Sequence, residues 1–84
     1  MPYILNKDKE RLNECKIDIN TAGELNYKIT ILVLSYLNKH GKSYKVINDI
    51  IGALECSKLE FYRRIVAPYE EVKIKENGDV YPRL

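Results

Sequence analysis

The chain has 84 residues, enough for one domain, of which 45% are hydrophobic and 31% are charged. This composition excludes a disordered chain, and no apolar run approaches the roughly 20 residues that a bilayer crossing needs. The net charge of +2, without a basic arm or an acidic tail, is weaker than nucleic-acid-binding domains usually carry, so we expect neither nucleic acid nor a membrane as partner.

The order of residue types at the N-terminus argues against a secretion signal. The apolar residues 1–5 precede a charged run at residues 7–11, which reverses the basic-then-apolar order of such signals. We therefore expect a cytoplasmic protein with reduced thiols. Cys15 and Cys56 form no close-spaced ligand pair, and we expect Cys56 to be a small core residue.

The first predicted element is a short, weakly amphipathic helix at about residues 7–16. Leu12 and Cys15 lie on its more apolar side. Residues 1–20 match no further pattern, so the sequence assigns no role to this segment.

The second predicted helix begins at a capping box, in which the Thr21 hydroxyl accepts from the Glu24 backbone while the Glu24 carboxylate reaches back. It ends before Gly41, a suitable left-handed stop. The main apolar stripe of this helix consists of Leu25, Ile29, Leu32, Val33, Tyr36 and Leu37. A second apolar flank consists of Tyr27, Ile31 and Leu34. Because the helix is apolar on two sides, two different surfaces have to pack against it. We expect a second copy of the chain to provide one of these surfaces.

Ser43 is the predicted cap of the third helix, which extends to about Val66 and ends because Pro68 disfavours helical backbone before it. Lys58 interrupts its main apolar stripe. The main stripe consists of Ile47, Ile50, Ile51, Leu54, Phe61 and Ile65. A second stripe near the end of the helix consists of Leu59, Tyr62 and Val66. Gly52 costs about 1 kcal/mol relative to Ala, and we expect it to let a neighbouring helix approach closely.

Beyond Pro68 we expect a short helix at residues 69–76. Acidic residues at its start, basic residues near its end and Gly78 just after it favour this interpretation. The alternative is a hairpin that pairs Val72 and Ile74 with Val80 across an Asn77-Gly78 turn.

These elements predict an all-α fold, a small helical bundle of two long helices with short N-terminal and C-terminal helices. We expect one domain, 1–84, made of a variable segment 1–20, a helical hairpin core 21–66, and a short helix and tail 67–84. The excess apolar surface of the long helices predicts a homo-oligomer.

Nothing in the sequence indicates catalysis. His40 is the only histidine, and its place at a helix end is typical of a surface residue that interacts with the last carbonyls. No metal-ligand cluster, nucleophile elbow or phosphate-binding loop occurs in the sequence. We therefore expect a non-enzymatic protein without a metal or cofactor.

The candidate binding site is a polar and aromatic cluster at the end of the third helix. Arginine offers a planar fork of donors for phosphate, and tyrosine offers a face on which a base can stack. We expect the ligand-binding residues to be Lys58, Tyr62, Arg63, Arg64 and Tyr69. The alternative is that the tyrosines are core or interface anchors and that the arginines pair with acids such as Glu55 and Glu60.

Several segments of the chain form a recognisable pattern, namely Gly23-Glu24-Leu25-Asn26-Tyr27, Ile47-Asn48-Asp49-Ile50-Ile51-Gly52-Ala53-Leu54-Glu55, Leu59-Glu60-Phe61-Tyr62-Arg63-Arg64, Ala67-Pro68-Tyr69-Glu70 and Glu76-Asn77-Gly78-Asp79-Val80-Tyr81. They resemble a family of short uncharacterised proteins from bacteria and their phages that share an LEFYRR…APYE…ENGDVY ending. The resemblance covers about residues 23–81 and implies no activity.

By analogy, the resemblance implies an accessory or anti-defence protein, because phages use compact oligomers of this size to sequester nucleotide immune signals. We therefore expect a homo-oligomeric sponge for a nucleotide-like or phosphorylated ligand, in the host cytoplasm if the protein is phage-encoded. The alternative is a protein-interaction module that binds a phage or host protein. A small nucleic-acid binder is less favoured.

Overall fold

All the secondary structure that the computed structural model describes, over residues 2–14 and 17–82, is helical. The elements are α1 (Asn6–Asn13), α2 (Ala22–His40), α3 (Tyr44–Phe61), a π-helical turn (Tyr62–Val66) and α4 (Ala67–Asn77). The predicted all-α fold is confirmed. Because these residues include no strand, the hairpin alternative for the C-terminal segment is wrong.

The chain divides into two compact units, Met1–Ala53 and Leu54–Leu84. In the described part of the first unit, the backbones of the helices do not approach one another closely, and α2 contacts α3 through the Tyr36 hydroxyl and Asp49. The structure therefore establishes the predicted helices without establishing the predicted bundle, and the single domain stays a prediction. In the same unit α1 is shorter than the expected 7–16, and Cys15 and Lys16 lie outside the described residues.

Both ends of α2 are fixed by the predicted caps. The Thr21 hydroxyl accepts from the Glu24 N–H at 3.1 Å. The Glu24 carboxylate in turn accepts from the Asn20 N–H at 3.2 Å and from the Thr21 hydroxyl at 3.3 Å. At the other end Gly41 has φ +85° and donates its N–H to the Leu37 carbonyl at 2.8 Å. Only glycine adopts this left-handed backbone without strain, so the stop is specified locally.

The third helix does not end at Pro68, contrary to the prediction. The π-helical turn joins α3 directly to α4, so residues 44–77 form one helical run. In this turn the Ala67 N–H donates to the Tyr62 carbonyl, five residues earlier. Proline has no N–H, and its ring clashes with the carbonyl four residues before it in regular α geometry. The wider turn directly before Pro68 accommodates the ring, a solution that the prediction did not consider.

The C-terminal helix was correctly predicted at residues 69–76 and is slightly longer. It begins at Ala67, one residue before the proline, and ends at Asn77. Gly78 then adopts φ +88° and donates its N–H to the Ile74 carbonyl at 2.8 Å. The same type of glycine stop therefore ends α2 and α4.

Val46 is the only buried side chain among the described residues, with 7% of its surface exposed. It lies in the first turn of α3, where its N–H donates to the Ser43 hydroxyl at 3.2 Å, which confirms the predicted cap. The predicted apolar stripes instead remain largely exposed, as at Leu32, Ile51 and Phe61.

The accessible surface of the chain is correspondingly large. It amounts to 8115 Å² for a mass of 9.8 kDa. Size scaling gives about 5,200 Å² for a folded monomer of this mass. The single chain therefore exposes about 2,900 Å² more than a folded monomer of this mass would.

One expectation about α3 is wrong, and another is not met within the described chain. Cys56 is exposed and is not a core residue. No atom lies within 4 Å of the position that a Cβ on Gly52 would occupy, so no neighbouring helix of the described chain approaches it. Each residue lies two positions from Leu54, about 200° around the helix, and therefore on the side opposite the apolar stripe.

The open surroundings of Gly52 make a testable difference to stability. We predict that Gly52→Ala raises the free energy of unfolding by about 1 kcal/mol, because alanine is the better helix former and the added Cβ meets nothing. The matched control is Gly41→Ala, which should lower the free energy of unfolding by about 1 kcal/mol because φ is positive at Gly41. Urea unfolding followed by circular dichroism measures both. A loss of stability in Gly52→Ala would show that another helix does contact this position.

Candidate functional site

The five predicted ligand residues all lie in the second unit. Lys58 is in α3, Tyr69 is in α4, and Tyr62, Arg63 and Arg64 are consecutive residues of the π-helical turn. We call these five residues the arginine–tyrosine cluster. All of them are exposed. Turns of this kind recur at functional sites because they change the direction of the side chains relative to a regular helix.

Arg63 and Arg64 share one carboxylate. Arg63 Nη2 donates to both oxygens of Glu60 at 2.8 and 2.9 Å, and Arg64 Nε donates to Glu60 Oε1 at 3.0 Å. These are neighbour pairs at three- and four-residue spacing, and Glu60 is only half-buried, so each pair contributes little to stability. The alternative interpretation of the arginines is thus confirmed for Glu60.

Tyr62 is held by an acid of α4. Its hydroxyl donates to Glu70 Oε1 at 2.6 Å. The hydrogen bond to Glu70 raises the pKa of the Tyr62 phenol, and the negative charge of Glu70 raises it further, because both favour the protonated form. The phenol of Tyr62 is therefore fixed on Glu70, while the residue as a whole stays exposed.

Lys58 and Tyr69 make separate contacts. Lys58 Nζ lies 3.3 Å from a carboxylate oxygen of Glu55. The ammonium of Lys73 lies 5.6 Å from the centroid of the Tyr69 ring, a cation–π distance. The five residues of the arginine–tyrosine cluster thus have separate partners along one helical run. The sequence spacing did not show that they would contact different residues.

A cavity in the second unit lies beside α4 and not at the arginine–tyrosine cluster. Its volume is about 270 Å³, and its lining consists of Glu70, Lys73, Ile74, Asn77, Gly78, Asp79, Val80 and Tyr81. This volume is below the roughly 300–1,000 Å³ of typical ligand pockets. None of the five predicted ligand residues lines it.

The first unit contains a polar contact that the sequence analysis missed. Asp49 Oδ2 accepts from Lys45 Nζ at 3.0 Å and from the Tyr36 hydroxyl at 3.4 Å. The hydrogen bond to Asp49 raises the pKa of Lys45. The four-residue spacing of Lys45 and Asp49 was the available signal. The ring of Tyr36 also lies 4.3 Å from that of His40, which is exposed at the end of α2 as expected.

Neither a metal site nor a membrane-spanning helix occurs among the described residues. No group of three or more His, Cys, Asp and Glu side chains in that part of the chain could hold a metal ion. None of the helices described is both long enough and apolar enough to span a membrane.

The fold defines an all-helical protein with exposed apolar faces in the part of the chain described. The family model for a domain of unknown function, DUF6899, matches residues 1–80, so the chain belongs to that family. The match includes residues 1–20, which the resemblance seen in the sequence left out. No curated protein and no solved structure matches the chain significantly. The bacterial or phage origin stays a prediction.

Proposed function

We propose that the protein is a non-enzymatic binding protein that works as a homo-oligomer, in which helix faces of one copy cover those of another. The observation that carries this proposal is the exposed area of 8115 Å² for 9.8 kDa. The excess over a folded monomer is about 2,900 Å² per chain. Obligate interfaces bury about 2,000–5,000 Å² over both partners, so the excess is large enough for one.

The chemistry of the exposed faces also supports association. They combine aliphatic side chains with several tyrosines, among them Tyr27, Tyr36 and Tyr69. Tyrosine is enriched in protein interfaces because its ring is apolar while its hydroxyl tolerates a wet rim. The net charge of +2 is small, so two copies repel each other only weakly.

The proposal predicts the mass of the particle in solution. Size-exclusion chromatography with light scattering at micromolar concentration should give an integer multiple of 9.8 kDa, and at least twice that mass. A particle of 9.8 kDa would contradict the proposal. It would favour the alternative in which the same faces bind a phage or host protein.

A second candidate function is the capture of a nucleotide-like or phosphorylated ligand, as by a phage-type sponge. It is favoured by the shared pairing of Arg63 and Arg64 with Glu60, which holds two guanidinium groups close together in the π-helical turn. In this proposal a phosphate binds to the two arginines, and Tyr62 or Tyr69 stacks on the base. Since Glu60 already occupies donors of both arginines, the ligand has to compete with it.

Titration calorimetry with a panel of cyclic and linear nucleotides tests this second candidate. We predict that one of them binds with micromolar affinity and that Arg63→Ala weakens binding about tenfold or more, because a charged hydrogen bond is lost. Arg11→Ala is the matched control, since Arg11 also pairs with an acid three residues away but lies in the first unit. Absence of binding to every nucleotide, or equal effects of the two variants, would contradict the second candidate.

A further inference from the structure

We infer that α2 pairs in antiparallel orientation with α2 of a second copy, along a seam formed by Leu25, Ile29, Leu32 and Tyr36. This inference rests on the proposed homo-oligomer and specifies its interface. It concerns one helix that lies entirely within the first unit.

The spacing of the four residues forms a continuous seam. They follow one another at intervals of four, three and four residues, the repeat of helices that pair along their length. On a regular helix this spacing confines them to a strip about 60° wide. The exposed fractions are 49% for Leu25, 39% for Ile29, 58% for Leu32 and 40% for Tyr36. At one end of the strip, the Tyr36 hydroxyl lies 3.4 Å from Asp49 Oδ2 of α3.

We infer a second copy as the partner because α2 has opposite charges at its two ends, so two antiparallel copies complement each other. Glu24 lies in the first turn, and Lys39 lies in the last turn. An antiparallel pair places the first turn of α2, with Glu24 in its capping box, beside the last turn of the partner subunit's α2, with Lys39, whereas a parallel pair places like charges beside each other. The antiparallel arrangement also places opposite ends of the helix dipoles side by side. The excess area of the chain exceeds what a standard interface takes from each partner, about 800 Å².

The antiparallel register pairs unlike residues. Leu25 faces Tyr36 of the partner subunit, and Ile29 faces Leu32 of the partner subunit. Lys28 flanks the seam and faces Ser35 of the partner subunit, so it meets no like charge. The Tyr36 hydroxyl lies 3.4 Å from Asp49 Oδ2 and its ring lies 4.3 Å from that of His40, while 40% of the residue's surface stays exposed.

The second apolar flank of α2 supplies a matched control. Leu34 is 51% exposed, close to the value for Leu32. The two residues lie about 200° apart around the helix, so Leu34 is outside the seam. We expect Leu32→Glu to abolish the pairing of α2 and Leu34→Glu to preserve it, although both place the same charge on the same helix.

Disulfide cross-linking tests the orientation. Both native cysteines are first replaced by serine, and Leu25→Cys and Tyr36→Cys are prepared as separate variants whose helicity is checked by circular dichroism. Antiparallel pairing predicts a cross-linked dimer when the two variants are refolded together and oxidised, and none when either is oxidised alone. Leu25 of one copy lies about 16 Å along the axis from Leu25 of the partner subunit in this arrangement.

The outcomes separate the inference from the proposed function. Cross-linking in the mixture that Leu32→Glu removes and Leu34→Glu retains supports the inference. A cross-link in Leu25→Cys alone indicates parallel pairing and overturns it. An oligomeric mass without any cross-link also overturns the inference but leaves the proposed homo-oligomer standing. A monomeric mass overturns both.

Discussion

The structure depends on one physical constraint, the burial of apolar helix faces. Each long helix has apolar side chains on more than one side, and yet Val46 is the only described residue that is buried. Burial of apolar surface contributes about 25 cal/mol per Å² and is the main term that offsets the lost conformational entropy of an ordered chain. A single copy with the exposed area seen here forgoes much of that term, so association with a further copy is the most direct way to make the helices stable.

The same constraint bears on the candidate site. The arginine–tyrosine cluster lies on exposed helix surface, where its ion pairs are individually weak and easily rearranged. Glu60 and Glu70 hold Arg63, Arg64 and Tyr62 through side-chain hydrogen bonds. In the proposed oligomer, surface from another chain supplies the walls of a ligand site at the cluster. Ligand binding at the cluster and self-association are therefore linked proposals, because self-association would build the walls of the ligand site.

Local features of the fold could be predicted from the sequence. Thr21, Ser43, Gly41 and Gly78 each act through bonds to residues within five positions, so their roles as caps and stops follow from residue type alone. The π-helical turn could not be predicted. A helix can respond to Pro68 either by ending or by widening into a π-helical turn, and the residue types do not show which response is lower in free energy. The arrangement of the helices depends on contacts between distant segments, which periodicity does not specify.

The central claim, that the folded state is stabilised by contact between copies, is tested most directly by thermal unfolding at different protein concentrations. For a folded dimer in equilibrium with unfolded chains, a hundredfold increase in concentration should raise the midpoint by about 8 °C, given an unfolding enthalpy of about 0.7 kcal/mol per residue. A cooperative transition whose midpoint is the same at every concentration would show that one copy folds alone and would contradict the account.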